Sequence, residues 1–188
     1  MDVKKFSDYL KYVRAGGRQY FTLDQAVSDL QVSREAVLMA LYRIKKQGEI
    51  ISPAKGLYVI VPPEHQRVGC IPAADLVPLL MQYWGANYYA GLLTAALYHG
   101  ASHQKPQVFQ IVSNKRIKKP LVFGQIWIDC IYKRDMENLP TQDVIVHSGY
   151  LKISSPELTT MDLLLYPRRS GGLNPSFPER LYLDSKKV

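Results

Sequence analysis

Ser33, Arg34 and Glu35, then Met39, Tyr42, Arg43, Lys45 and Lys46, gather hydroxyl, guanidinium, carboxylate, thioether, phenol and ammonium groups in one short stretch, with Lys55 a little beyond. Ammonium and guanidinium groups bind phosphate oxygens, and an arginine fork can also read a guanine edge. The chemistry open to this set is recognition of a polyanion, and a duplex offers phosphates and base edges together. A second run, Lys115-Arg116-Ile117-Lys118-Lys119, has the same charge between two strand-like segments. It reads either as a second nucleic-acid patch (Lys115, Arg116, Lys118, Lys119) or as a solvated hairpin loop.

Catalytic patterns are harder to find. No G-x-S-x-G nucleophile elbow, Walker loop or dinucleotide G-x-G-x-x-G occurs. A metal-dependent nuclease needs carboxylates converging near a lysine, yet the D-x-K triplets are Asp2-Val3-Lys4 and Asp184-Ser185-Lys186, at the chain ends. His99 and His103 share the i, i+4 spacing of helical metal ligands, but Gly100 intervenes and no third ligand can be named. Capping or packing suits them better. Asp129, Asp143, Glu157 and Asp162 are recommended as a hidden active site only by their charge. The expectation is therefore no catalytic residue, no metal, no cofactor and no enzyme.

The elements that position the first cluster follow from periodicity. Phe6, Leu10 and Val13 recur at helical spacing until Gly16-Gly17, giving a docking helix. Thr22 with Gln25 forms a capping box for a short helix carrying Leu23, Ala26, Val27 and Leu30 on one stripe. Ser33 is the N-cap of a third helix that Gly48 stops, and Val32 fits the crook of the turn before it. At about 100° per residue, Val37, Ala40, Leu41 and Ile44 share one side of that helix, and Glu35, Met39, Tyr42, Arg43 and Lys46 the other. Arg34, in the first turn, opposes the helix dipole, a cost that a phosphate or guanine partner would offset. The β-branched runs Glu49–Ser52 and Leu57–Val61 then flank Pro53-Ala54-Lys55-Gly56, a hairpin with a lysine apex. Short helix, tight turn, longer helix and basic hairpin make a winged helix-turn-helix, with the third helix sized for a major groove about 12 Å wide.

The whole chain has 188 residues, 47% hydrophobic and 21% charged, which excludes collagenous and wholly disordered classes. Lys and Arg number 24 against 16 Asp and Glu, a net charge of +8 that favours polyanionic partners without choosing among them. Two distant cysteines, Cys70 and Cys130, fit neither a disulfide framework nor a structural zinc site. With no secretory signal and no apolar run of about 20 residues, a soluble cytoplasmic protein without a membrane partner is expected. Val61-Pro62-Pro63 breaks the composition, so the expected domains are 1–61, the winged helix, and 68–188.

In the second domain, Asp75 is expected to cap a helix over Leu76–Tyr83, with Pro78 tolerated in its first turn. Tyr88–Gly100 reads as a buried core helix. Strands are expected at Gln107–Val112, Leu121–Phe123, Gln125–Tyr132, Val144–Val146 and Tyr150–Ile153. Ser155-Pro156-Glu157 then opens a last helix with Met161, Leu164 and Leu165 among its apolar positions. The fold class is α+β: an N-terminal winged helix-turn-helix followed by a mixed α/β C-terminal domain.

Several segments resemble the AbiEi-type antitoxins, transcriptional regulators of bacterial toxin-antitoxin operons. They are Lys55-Gly56-Leu57-Tyr58-Val59, Tyr89 through Gln104, Pro106-Gln107-Val108-Phe109, Ser155-Pro156-Glu157, Thr160 with Asp162-Leu163, and Gly171-Gly172. The resemblance spans most of the chain and is most specific over 89–109. It implies a winged helix that binds inverted repeats of double-stranded DNA in the operon's own promoter. It also implies a C-terminal domain that counters a nucleotidyltransferase toxin of the AbiEii type without a stable complex. DNA contact transfers to Arg34, Tyr42, Arg43, Lys46 and Lys55, and no catalytic residue is supplied. Family members usually continue into a further helical region, whereas this sequence stops at Lys186-Lys187-Val188, so a short or truncated relative is expected.

The function expected is a sequence-specific DNA-binding repressor, the autoregulating antitoxin of such an operon. Two alternatives stand beside it: a nucleic-acid-processing enzyme with a nuclease-like C-terminal domain, and a winged-helix protein-interaction module.

Overall fold

The structure is a computed structural model that describes residues 3–101 and 106–170. Asp2-Val3-Lys4, Ser102-His103-Gln104, Gly171-Gly172 and Asp184-Ser185-Lys186 fall wholly or partly outside them. The chain divides into two compact units. Among the described residues, the first joins 3–85 with Val122–Trp127 and Val146–Gly149; the second comprises 86–101, 106–121, Ile128–Ile145 and 150–170.

The first unit begins with α1 (Val3–Ala15), β1 (Tyr20–Thr22), α2 (Leu23–Leu30) and α3 (Arg34–Lys46). It continues through β2 (Ile50–Ala54), β3 (Leu57–Ile60), α4 (Pro63–Gln66) and α5 (Ala73–Trp84). Phe6, Leu10 and Val13 of α1 are buried with Tyr9, as their spacing predicts, and they share a core with Leu23, Ala26, Val37, Ala40, Leu41 and Ile44. Burying one stripe of each helix in a common core is what fixes their rotation about their own axes. The capping box at Thr22 is present in both directions, with Gln25 Oε1 accepting from Thr22 N–H at 2.8 Å and Thr22 Oγ1 accepting from Gln25 N–H at 3.2 Å.

Thr22 also ends β1, a strand the sequence reading lacks. At three residues it is too short to show an alternation, and it exists because Tyr20, Phe21 and Thr22 pair antiparallel with Val59, Tyr58 and Leu57. The resulting sheet has the order β1-β3-β2. Pro53 lies inside β2, where the register slips between Ile51 and Ala54 and so spares the ladder a missing donor.

Two expectations about α5 need correction. Its N-cap is Pro72, and Asp75 lies in its first turn, where Oδ1 accepts from Ser148 N–H at 2.9 Å. Pro78 therefore stands beyond the first turn, where its missing N–H removes one helical hydrogen bond.

The remaining elements are β4 (Tyr88–Ala90), α6 (Leu92–Tyr98), β5 (Val108–Ser113), β6 (Leu121–Phe123), β7 (Ile126–Tyr132), β8 (Thr141–Val146), β9 (Gly149–Ser154) and α7 (Pro156–Leu165). A short 3-10 turn, Pro167–Arg169, follows. One sheet has the order β6-β7-β5-β4-β9-β8. The helix expected over Tyr88–Gly100 is instead a strand and a shorter helix. β4 pairs antiparallel with β5 and parallel with β9, and a central strand covered on both faces is as continuously apolar as a buried helix. The chain turns at Gly91 and at Leu92, whose φ of 50° is left-handed.

Ser155 caps α7, its hydroxyl accepting from Leu158 N–H at 3.3 Å, as expected. The helix's inward residues are Leu158, Thr159 and Asp162, whereas Met161, Leu164 and Leu165 are exposed. Thr159 can face inward because its hydroxyl reaches the Ser155 carbonyl at 2.7 Å. Among the described residues no helix is long and apolar enough to cross a membrane.

Candidate nucleic-acid interface

The sides of α3 separate as the 3.6 period requires. Val37, Ala40, Leu41 and Ile44 are 0–2% exposed, while Glu35, Met39, Tyr42, Arg43, Lys45 and Lys46 face solvent. Met39 and Tyr42 keep 59% and 61% of their surface in water. Lys46 sits one turn beyond Tyr42 with its ammonium 5.2 Å from the ring centroid, so cation–π attraction gathers both on one face. Ser33 accepts from Ala36 N–H at 3.3 Å and thereby starts the helix. Glu35 complements the dipole at that end; toward a duplex it would repel phosphate and suit only a base-edge donor.

Arg34 has a partner that the sequence did not reveal. Its Nη1 lies 2.7 Å from Asp24 Oδ1 of α2, with both side chains largely exposed. An exposed ion pair contributes about 0–1 kcal/mol, so Asp24 holds Arg34 in position yet can yield it to a phosphate.

Lys55 occupies the turn between β2 and β3 and is exposed. The turn is tied by its carbonyls: Tyr83 Oη donates to the Lys55 carbonyl at 2.8 Å and Leu23 N–H to the Gly56 carbonyl at 2.9 Å. The backbone is thus anchored to α2 and α5 while the ammonium remains outside. Tyr83 carried no local signal, because the contact is made only when α5 folds back on the hairpin.

The second basic run is less uniform. Arg116 stacks its guanidinium 4.5 Å from the Tyr132 ring centroid, Lys115 is half-buried, and Lys118 and Lys119 are exposed just before β6, an edge strand of the sheet. Lysines beside an edge discourage pairing with another chain, which gives this run a structural purpose.

The carboxylates considered for catalysis serve different tasks. Asp129 is buried on β7 and ion-paired with Arg169; Asp143 is exposed on β8. Glu157 accepts from Ser155 Oγ at 2.6 Å, and this hydrogen bond holds its carboxyl below the usual range. Asp162 is buried, accepts from Tyr89 Oη at 2.9 Å through Oδ2, and among the described residues has no partner for Oδ1. Burial pushes its pKa up, against the Tyr89 hydrogen bond and the charge of Lys133. His99 caps α6 and donates from Nε2 to the Ser154 carbonyl at 2.8 Å. Among the described residues no group of three or more His, Cys, Asp or Glu could hold a metal ion. Cys70 and Cys130 are free and buried, and desolvation pushes both thiols up to about 12, far from a reactive thiolate.

Together these features define a two-unit α+β protein with a solvent-facing basic helix beside a lysine-tipped hairpin. Residues 89–176 match the family model of the AbiEi antitoxin C-terminal domain. Over that stretch the chain is similar to the C-terminal domain of the AbiEi antitoxins. Comparison with curated proteins finds no match. The matched stretch contains the segments that carried the resemblance from Tyr89 to Phe109 and from Ser155 to Leu163.

Proposed function

We propose that the chain is a sequence-specific DNA-binding repressor that autoregulates its own toxin-antitoxin operon, with residues 1–61 as a winged helix-turn-helix. What supports the reading is the exposed side of α3, where Met39, Tyr42, Arg43 and Lys46 remain in water while the opposite side is completely buried. The order α1-β1-α2-α3-β2-β3 and the tied Lys55 turn add a second element beside that helix. In this reading α3 enters the major groove, Arg34, Tyr42 and Arg43 meet base edges or nearby phosphates, and Lys45, Lys46 and Lys55 hold the backbone.

Fluorescence anisotropy with the operon's own promoter and a scrambled duplex at one fixed salt concentration tests this. A specific repressor binds its operator at least ~10³-fold more tightly than scrambled DNA. Equal affinity for the two duplexes removes the repressor reading.

The second reading, a protein-interaction surface, is favoured by the apolar share of the same helix, since Leu38 and Met39 are 42% and 59% exposed. Salt separates the two, because phosphate contacts weaken steeply with salt and an apolar interface does not. The proposed toxin partner is a nucleotidyltransferase countered without a stable complex. Co-expression that restores growth while no toxin co-purifies supports this, and a complex that survives gel filtration counts against it.

A further inference from the structure

We infer that the first unit carries a binding site for a small organic anion. A cavity of about 500 Å³ opens there, walled by Arg14, Arg18, His65 and His147 above a floor of Ile60 and Ile71. The floor is apolar because it is made of isoleucine side chains, and the volume falls within the ~300–1,000 Å³ typical of small-molecule sites. The walls come from four separate stretches of chain: the end of α1, the turn after it, α4, and the turn between β8 and β9. All four belong to the same compact unit.

Each wall group stands on backbone that is already held. Arg14 Nη2 donates to the Val61 carbonyl at 3.3 Å. His65 donates its N–H to the Pro62 carbonyl at 2.9 Å and accepts at its own carbonyl from Gly69 N–H at 3.0 Å. Ser148, next to His147, donates through N–H to Asp75 Oδ1 and through Oγ to the Asp75 carbonyl, both at 2.9 Å. A site shaped before binding loses little conformational entropy when a ligand enters.

The hydrogen-bond donors of the cavity select the ligand. Among the described residues neither Arg14 nor Arg18 forms an ion pair; the carboxylates that do so serve Lys11, Arg34 and Arg169. Glu64 and Asp75 also border the space, so its formal charges balance; Asp75 is engaged through Oδ1 by Ser148, and Glu64 is exposed. Two guanidiniums outside any ion pair among the described residues can each donate to an anion, imidazole nitrogens add hydrogen bonds, and the isoleucine floor suits an apolar body. The ligand class is therefore a carboxylate or phosphate on an aromatic or similar apolar frame.

The full chain is titrated by calorimetry with phenyl phosphate and benzoate, alongside inorganic phosphate as charge without a body and benzyl alcohol as a body without charge. At least one of the first two binds saturably at one site, at least ~10-fold more tightly than either control, and whichever binds identifies the anionic group. Arg18→Ala weakens that binding by about tenfold or more, the loss of a charge-assisted hydrogen bond. His147→Gln, at an exposed position whose exchange spares the fold, weakens it as well. The inference is overturned if neither aromatic anion saturates below ~5 mM, if inorganic phosphate binds equally well, or if both variants keep the parent affinity. The titration uses no DNA, so its outcome is independent of the repressor reading.

Discussion

Asp162 is the residue whose environment opposes its chemistry most directly. It is fully buried, its Oδ1 has no partner among the described residues, and burial raises its pKa above the unfolded value. An acid with a raised folded pKa contributes most below its unfolded pKa, about 3.9, and loses that contribution as pH rises through the folded value. Asp162→Asn cannot ionise, so its stability relative to the parent should climb from pH ~4 upward and then level off. Urea midpoints of both proteins across that range measure the difference, and a gap that narrows with rising pH contradicts the account. The sequence could not announce this residue, because a carboxylate within an apolar helix reads as its wet side. The Tyr89 hydroxyl that accommodates it lies far away along the chain. Arg43 is the opposite case. Its exposure was legible from the 100° rotation alone, since Ala40, Leu41 and Ile44 around it supply the buried stripe. If Arg43 makes a bidentate guanine contact, Arg43→Ala should cost about 1–3 kcal/mol of promoter affinity and relax preference at one base pair. A promoter titration that does not move excludes Arg43 from the contact set.

Among the elements, those closed by local chemistry were readable, and those closed by distant partners were not. Thr22 with Gln25 and Ser33 before α3 identified two helix starts, because a capping side chain bonds within its own turn. β1 and β4 escaped because a three-residue strand is defined by its neighbours across the sheet, here β3 in one case and β5 with β9 in the other. The same limit applies to turns that depend on close approach. Gly124 has a φ of +56°, and a Cβ there would overlap the Val68 carbonyl oxygen, which also accepts from Gln125 N–H at 2.9 Å. Gly85, at the end of α5, has a similar φ of +60° but nothing within 4 Å of such a Cβ. Gly85→Ala should therefore cost about 1 kcal/mol, the left-handed backbone penalty alone. Gly124→Ala must also move backbone and should cost more than ~3 kcal/mol. Thermal melts of the two variants compare them, and equal losses would mean that the turn relaxes freely.

For the whole molecule, the net charge of +8 is informative only once its placement is known. Some cations are occupied within the protein: Arg34 with Asp24, Arg169 with Asp129, and Arg116 on the Tyr132 ring. Lys118 and Lys119 border an edge strand, where their charge has a structural use. Among the described residues the lysines of α3 and of the β2–β3 turn have no such employment beyond the contact of Lys46 with Tyr42, so they should carry the salt dependence of DNA binding. Each phosphate contact releases counterions and steepens the slope of log K against log salt by about 0.9. Removing Lys46 or Lys55 should flatten the slope by that amount for operator and scrambled duplex alike, because phosphates carry no sequence. Lys118→Ala with Lys119→Ala should leave it unchanged. Anisotropy titrations between about 50 and 200 mM salt resolve a change of this size. If the Lys118/Lys119 pair flattens the slope while Lys55→Ala does not, the DNA path runs over the second basic run, and the hairpin's tied tip holds something other than phosphate.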